Sequence, residues 1–267
     1  MELISVIMPV YNIKSFDIIS QSIKSILNQS YKNFEFIICD DGSNDDTFCY
    51  IKKFEKIDDR IKIIKNNKNF GLSYSLNRCI AASKGLYIAR MDADDISLPD
   101  RLEKQYKYLK KNSSLDFVGS YSYLLRSLNT EVIGINKVPI TPNKKNFLFG
   151  TPFIHPTLMI KKNIYSSLGG YNCDENVLLV EDYEFFMRAY YHNYKGANIP
   201  EPLIKYRTSE NRRKYKYRLN EIKIQLKWFS LLKLLPIGYL FIIKTLLADF
   251  IPFKLRKFIK NSYENFN

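Results

Sequence analysis

The chain of 267 residues is 46% apolar and 15% aromatic, which is enough to bury a core and excludes a disordered protein. Its 41 Lys and Arg residues against 27 Asp and Glu give a formal charge of +14, which predicts an anionic partner such as nucleic acid, a phosphorylated small molecule or a lipid surface. Residues 1–200 carry 26 basic and 22 acidic side chains, whereas residues 201–267 carry 15 and 5. The basic excess therefore belongs mainly to the C-terminal part.

The few histidines and cysteines limit the kinds of metal site. With only His155 and His192, and with no C-x-x-C pair among four cysteines, the chain lacks the pattern of a zinc finger or a Cys/His zinc site. We therefore expect any metal to be bound mainly through oxygen atoms. The chain runs from Met1 directly into an apolar segment without a basic leader, so we expect no secretory signal, reduced thiols and a cytoplasmic protein.

Short β-branched segments alternate with segments of helical spacing in the first 120 residues. The predicted strands cover residues 3–8, 34–39, 61–64, 86–91 and 116–119. This alternation predicts an α/β fold with a Rossmann-like, mostly parallel sheet and helices on both faces. Ligands of such sheets bind outside the carboxyl ends of the strands, so the residues after each strand are the candidates for function.

Three of these strand ends carry polar and mostly acidic residues. Residues 9–12 read Pro-Val-Tyr-Asn, residues 40–43 read Asp-Asp-Gly-Ser, and residues 92–95 read Asp-Ala-Asp-Asp. Carboxylates this close repel one another, and a hard divalent ion such as Mg²⁺ or Mn²⁺ relieves the repulsion. Two alternatives stay open: Asp95 caps the following helix, and Ser43 or Asp45 caps the helix after the second strand.

The later part of the chain predicts less regular structure. We expect antiparallel strands within residues 117–137 around a turn at 127–129, and a helix over 181–191. Residues 1–210 are predicted to form the catalytic domain and residues 211–267 a basic, amphipathic helical tail. The longest charge-free apolar run of the tail, residues 234–243, is half of the roughly 20 residues that span a bilayer.

The tail has two open interpretations. It is either an ordinary solvated helical bundle or an interfacial hairpin whose Lys and Arg side chains meet anionic lipid. In the second case the inserting side chains are Trp228, Phe229, Leu231 and Leu232. We favour the second interpretation, which predicts a peripheral protein on the inner face of the cell membrane.

The motifs in combination resemble a known family. Residues 5–12, 40–47 and 89–95 resemble the corresponding segments of the family 2 glycosyltransferases with the GT-A fold. Residues 155–157, 169–172 and 181–184 extend the similarity over about residues 3–207. The resemblance implies an inverting transfer of a sugar from a nucleoside diphosphate sugar, usually a UDP-sugar, to an acceptor hydroxyl.

The resemblance also implies roles for individual residues on the donor side. The residues that it assigns to the nucleotide-sugar are Pro9, Val10, Tyr11, Asp40, Asp41, Asp92, Ala93 and Asp94. Among them Asp40 is our first choice for the base, and Asp92 and Asp94 also hold the metal. A metal-bound diphosphate is already a good leaving group, so no acid catalyst is required.

On the acceptor side, inversion requires one base, and Asp182 matches the family's base with Glu181 as second choice. The alternative is that Asp182 only stabilises a helix N-terminus. His155 is predicted to bind metal or phosphate, against the alternative of a structural histidine. Arg188 is either a salt-bridge partner or a phosphate contact, and Arg90 receives no role.

Other functions fit the strand ends less well. A nucleotidyltransferase that makes nucleotide-sugars needs a glycine-rich basic loop after the first strand, and a dehydrogenase needs G-x-G-x-x-G there. A nucleic-acid-binding module would present basic residues where this chain presents acids. We therefore expect an enzyme that builds a cell-surface glycan, with a glycan or lipid-linked acceptor and without a nucleic-acid partner.

Overall fold

The computed structural model describes residues 1–126, 130–208 and 215–247, and contains nine strands in one sheet. The strands are β1 (Ile4–Val10), β2 (Phe34–Asp40), β3 (Ile61–Lys65), β4 (Tyr87–Arg90), β5 (Ile96–Ser97), β6 (Phe117–Leu125), β7 (Val132–Asn136), β8 (Met159–Lys161) and β9 (Gly196–Arg207). The helices are α1 (Phe16–Leu27), α2 (Thr47–Glu55), α3 (Leu72–Ala82), α4 (Arg101–Lys111), α5 (Lys162–Leu168), α6 (Glu181–Tyr191), α7 (Tyr215–Leu231) and α8 (Gly238–Leu247).

The sheet has two halves of different character. Its strand order is β3-β2-β1-β4-β8-β6-β9-β5, with β7 paired to β6. The β3-β2-β1-β4 half is parallel, as predicted, whereas β8 pairs antiparallel to both β4 and β6, and β5 pairs antiparallel to β9. In the second half β6 and β9 are parallel, and the long crossover that joins them includes α5 and α6. The second half is therefore a mixed sheet.

Helices cover both faces of the sheet, as the alternating strands predicted. On one face Val6 and Met8 of β1 pack with side chains of α1, α2 and α4. On the other face Ile7 packs with Leu76 of α3 and with side chains of α5, α6 and α7. Successive strand residues point to opposite faces, which is why Ile7 and its two neighbours join different cores.

The C-terminal helices differ from the prediction for the tail. Trp228, Phe229 and Leu232 are buried in the same core as α6, so of the four side chains proposed to insert into lipid only Leu231 is exposed. Within the described parts of the chain, no helix combines the length and apolar character needed to cross a bilayer. The domain boundary placed at residue 210, the turn at 127–129 and residues 248–267 lie outside the described residues.

Candidate functional site

Three aspartates gather directly after β4. Each of Asp92, Asp94 and Asp95 offers a carboxylate oxygen, and these oxygens lie within 4.8 Å of one another. The Met91 amide still donates to the Ile7 carbonyl at 3.0 Å, so the turn begins only after the chain leaves the sheet. The cluster therefore stands at the carboxyl edge of the parallel half, where a ligand of such a sheet binds.

Asp95 is tied to the end of β9 rather than to a helix. Its Oδ1 accepts from the Arg207 amide at 2.8 Å, and the Arg207 Nε donates to the Asp94 carbonyl at 2.9 Å. The N-cap of α4 is Asp100, so the alternative that Asp95 caps this helix is wrong. Asp95 instead links the acidic turn to the end of β9.

The electrostatic repulsion within the cluster favours a bound cation. Displacement of water by the surrounding protein and the negative charge of Asp92 raise the pKa of Asp94 to about 6. Burial, together with the charges of Asp92 and Asp94, raises the pKa of Asp95 well above its usual value. The buried Asp95 Oδ2 has no hydrogen-bond partner among the described residues. Oxygen donors that repel one another, one of them unpartnered, fit Mg²⁺ or Mn²⁺.

Arg90, to which we assigned no role from the sequence, points into this cluster. Its side chain is 3% exposed, and its two terminal nitrogens contact the Asp92 carboxylate at 2.6 and 2.5 Å. The signal was present in the sequence, because residues i and i+2 of an extended chain project to the same side. The Arg-x-Asp spacing of residues 90–92 therefore predicted an ion pair that we missed.

Asp40 and Asp41, adjacent at the end of β2, have opposite surroundings. Both carboxylate oxygens of the fully buried Asp40 lack a hydrogen-bond partner among the described residues. The Asp41 carboxylate accepts three hydrogen bonds, from Asn66 Nδ2 at 2.6 Å, the Phe70 amide at 3.0 Å and the Gly71 amide at 2.8 Å. Asp41 thus fixes the loop before α3. Because the carboxylate of Asp41 is already hydrogen-bonded within the described residues and that of Asp40 is not, Asp40 is the better candidate to contact a base.

The loop after β1 lies against the loop after β2. Val10 is paired in register with Asp40, Pro9 precedes it, and the following Tyr11 is 45% exposed. The Asn12 amide donates to Ser43 Oγ at 3.0 Å, so Ser43 joins the two loops and does not cap α2. These contacts bring the predicted base-flanking residues Pro9, Val10 and Tyr11 next to Asp40.

The turn after β2 and the start of α2 are also fixed locally. Asp45 Oδ1 accepts from the Thr47 amide at 3.0 Å, which supports the helix start, although Asp46 holds the N-cap position. Gly42 has φ of +69°, and a Cβ there would lie 2.3 Å from the Lys68 carbonyl carbon. The turn therefore requires glycine at this position.

Both candidate bases lie at the N-terminus of α6. Glu181 is buried, and burial and the charge of Asp182 raise its pKa to about 7 against the opposing charge of Arg90. Asp182 is less buried, and its Oδ1 accepts from the Tyr183 amide at 2.7 Å. Arg188 binds Glu184 and the carbonyls of the preceding loop, which is the structural alternative left open for this residue.

His155 is not part of the acidic cluster. Its Nε2 lies 2.8 Å from the hydroxyl of Tyr171, whose hydroxyl also contacts that of Tyr165. Burial and the charge of Arg90 hold the pKa of His155 well below its usual value. Among the residues described, the group whose geometry could hold a metal ion consists of the three aspartates, and it includes Asp95 but not His155.

A surface cavity of about 520 Å³ lies between α3, α6, α7 and the loop of residues 169–173. None of the three clustered aspartates lines it, and its wall contains the Glu184–Arg188 ion pair. Because the unpartnered carboxylates lie at the strand ends and not here, the strand edge is the candidate active site.

Comparison with known proteins identifies the family of the chain. The sequence model of glycosyl transferase family 2 matches residues 5–168. The chain is 36% identical over 253 residues to EpsE of Bacillus subtilis, which is described as a candidate glycosyltransferase. This alignment covers 93% of the present chain and 90% of EpsE. The chain is 37% identical over 219 residues to the O-antigen biosynthesis glycosyltransferase WbnJ of Escherichia coli, covering 78% and 80%.

A solved structure shares the fold. Residues 1–349 of TarS from S. aureus, in complex with UDP-GlcNAc, superpose with a TM-score of 0.68 at 18% identity, covering 86% of this chain and 67% of that one. The match of the family model, the length of the alignment to EpsE and the acidic turn after β4 together define the protein. This chain belongs to the family 2 glycosyltransferases and is a glycosyltransferase enzyme with a GT-A fold.

Proposed function

We propose that the protein is an inverting glycosyltransferase that transfers a sugar from a nucleoside diphosphate sugar, by preference a UDP-sugar, to a hydroxyl of a glycan or lipid-linked acceptor in polysaccharide synthesis. The observation that carries the proposal is the three-aspartate cluster beside the unpartnered carboxylate of Asp40. The UDP-GlcNAc complex of TarS and the role of WbnJ in O-antigen synthesis support the donor and acceptor classes.

The donor would lie along the carboxyl edge of the parallel half. Asp40 accepts hydrogen bonds from NH groups of the base, between the exposed ring of Tyr11 and the end of β2. Asp94 and Asp95 would hold Mn²⁺ or Mg²⁺, and Asp92 would accept a hydrogen bond from a ribose hydroxyl group. When bound, the cation neutralises the charge that develops on the diphosphate leaving group.

The acceptor hydroxyl would be deprotonated from the other side. Asp182 takes this proton as the hydroxyl attacks the anomeric carbon, and it is the more accessible of the two acids at the start of α6. Glu181 is the second candidate, although a pKa of about 7 leaves it partly protonated at neutral pH.

The test is sugar transfer and donor hydrolysis with UDP-, GDP- and CMP-sugars in the presence of Mn²⁺ or Mg²⁺. We expect Asp94→Asn and Asp182→Asn each to lower kcat by about 100-fold or more. Glu103→Gln is the matched control, because Glu103 is an acid on the exposed side of α4 that pairs only with Ser30 and Lys107 among the described contacts. Full activity in both aspartate variants would remove the proposed site.

A membrane surface is the proposed location of the acceptor. The outward face of α8 carries large apolar side chains beside Lys244, although helices of globular proteins normally expose polar residues there. The exposed apolar residues are Tyr239, Leu240, Ile243, Leu246 and Leu247, preceded by Ile237. Together with the net charge of +10 in residues 201–267, this face suits an anionic lipid surface on the inner side of the membrane.

Flotation of the full chain with vesicles that contain anionic lipid tests this location. We expect the double change Leu240→Glu and Ile243→Glu to abolish flotation, and Leu86→Glu, which alters an exposed leucine outside the tail, to leave it unchanged. If α8 is instead covered by residues 248–267, the double change lowers the unfolding midpoint without affecting flotation. That outcome would contradict the membrane assignment.

A further inference from the structure

Arg90 lies between the acidic cluster and the start of α6. Its guanidinium is buried at the end of β4, and besides Asp92 its charge acts on Asp94 and Asp95 on one side and on Glu181, His155 and Tyr171 on the other. Asp94 and Asp95 belong to the proposed donor side, and Glu181 belongs to the proposed acceptor side. Its Nε has no hydrogen-bond partner in the part of the chain that the structure describes.

Arg90 pairs with both oxygens of the Asp92 carboxylate. Each carboxylate oxygen of Asp92 accepts from a different terminal nitrogen of Arg90, which is the two-point geometry that fixes the orientation of a carboxylate. The arginine charge offsets the negative charge of this carboxylate and so weakens its attraction for a cation, whereas a neutral hydroxyl group can still donate to the second lone pair of each oxygen. Asp94, in contrast, has no ion-pair partner of this kind in the described part of the chain.

We infer that Arg90 is a positioning residue that fixes the Asp92 carboxylate for a hydroxyl group of the donor and weakens it as a metal ligand, so that Asp94 and Asp95 would supply the main oxygen ligands of the cation. The inference rests on the proposed metal-dependent function. It assigns different roles in donor binding to Asp92 and Asp94. It also requires Arg rather than Lys, because an ammonium is a point charge and does not pair with both oxygens in one plane.

The experiment measures Mn²⁺ binding to the full chain without donor, from the loss of the paramagnetic resonance signal of free Mn²⁺. In Arg90→Lys the local charge is retained while Asp92 is released, so we expect Mn²⁺ to bind about three- to tenfold more tightly. In the same variant we expect kcat to fall by about tenfold or more, because Asp92 no longer meets the donor in a fixed orientation. Tighter metal binding with slower turnover is not the signature of a damaged fold.

Two further variants isolate the effect. In the Asp92→Asn background, Arg90→Lys should change Mn²⁺ affinity less than twofold, because the released ligand is absent. Arg60→Lys is the matched control, since Arg60 also pairs by Nε and Nη2 with both oxygens of a carboxylate two residues away, Asp58, at 2.9 and 2.7 Å. This control should leave both Mn²⁺ affinity and turnover unchanged.

The outcomes separate the inference from the proposed function. Unchanged or weaker Mn²⁺ binding in Arg90→Lys, with wild-type binding intact, would overturn the inference alone. Tightening that persists in the Asp92→Asn background would overturn it as well. Absence of Mn²⁺ binding to the wild type would overturn the proposed metal site, and the inference with it.

Discussion

The two halves of the sheet supply the site in different ways. In the β3-β2-β1-β4 half, acidic residues follow regular parallel strands directly, so their position is a consequence of strand length and direction. In the β8-β6-β9 half, the candidate bases stand at the start of a helix that follows irregular segments, and Tyr171 and His155 meet only through tertiary packing. Regular backbone thus positions the proposed donor side, whereas side-chain packing positions the proposed acceptor side.

The largest expected effect on the donor KM lies in the parallel half, at Asp40, and the adjacent Asp41 provides the contrast. Asp40→Asn should raise the donor KM by about 10- to 100-fold through loss of a charged acceptor, yet stabilise the fold by about 1 kcal/mol because it removes an unpartnered buried charge. Asp41→Asn should instead destabilise the fold by about 1–3 kcal/mol, because its carboxylate serves two backbone amides. Donor kinetics and denaturant unfolding of the two variants check this contrast, and equal behaviour would contradict it.

On the acceptor side, Glu181→Gln should stabilise the protein by roughly 3 kcal/mol at pH 8. Burial raises the pKa of Glu181 from 4.5 to about 7, so the wild-type carboxyl destabilises the folded state increasingly as pH rises through this range. Below about pH 4 both states are protonated and the difference should vanish. Unfolding at pH 8 and pH 4 measures it, while a loss of activity of 100-fold in this variant would make Glu181 the base in place of Asp182.

Gly42→Ala should destabilise the parallel half by about 2–3 kcal/mol. The residue has a positive φ, and the new methyl group would meet the Lys68 backbone, which cannot move aside as a side chain can. We expect a lower unfolding midpoint together with a higher donor KM, since the same turn carries Asp40 and Asp41. An unchanged unfolding midpoint and donor KM would show that the turn can rearrange without loss of stability.

Gly196→Ala should destabilise the mixed half by about 1–2 kcal/mol through overpacking. The added methyl group would lie 2.1 Å from the ring of Phe117 on the neighbouring strand. That ring packs against Phe153 and Phe186 and must shift with them. Because the clash is far from the strand-end acids, donor KM should not change; a changed KM would mean that the two halves are coupled more tightly than the contrast suggests.

The sequence predicted the regular features of the molecule well. Helix α6 begins and ends at the predicted residues, and the acidic turn after β4 lies where the alternation of strands and helices placed it. Burial was harder to predict. Trp228 and Phe229 are residue types that often insert into lipid, but here they are buried in the core that contains α6. His155 is also buried, and its side chain is hydrogen-bonded to Tyr171. Local spacing does not specify which apolar face meets which partner, since that depends on elements distant in the chain.

The bonds of Arg207 to the acidic turn have a consequence for biosynthesis. The turn is translated early, but its anchor comes 112 residues after Asp95, at the end of the last strand of the sheet. A nascent chain that has folded only its parallel half therefore has three mutually repelling carboxylates without the backbone donor that fixes Asp95. Metal and nucleotide-sugar would be captured productively only once β9 has been added, so an unfinished or truncated polypeptide would not consume the cell's activated sugars.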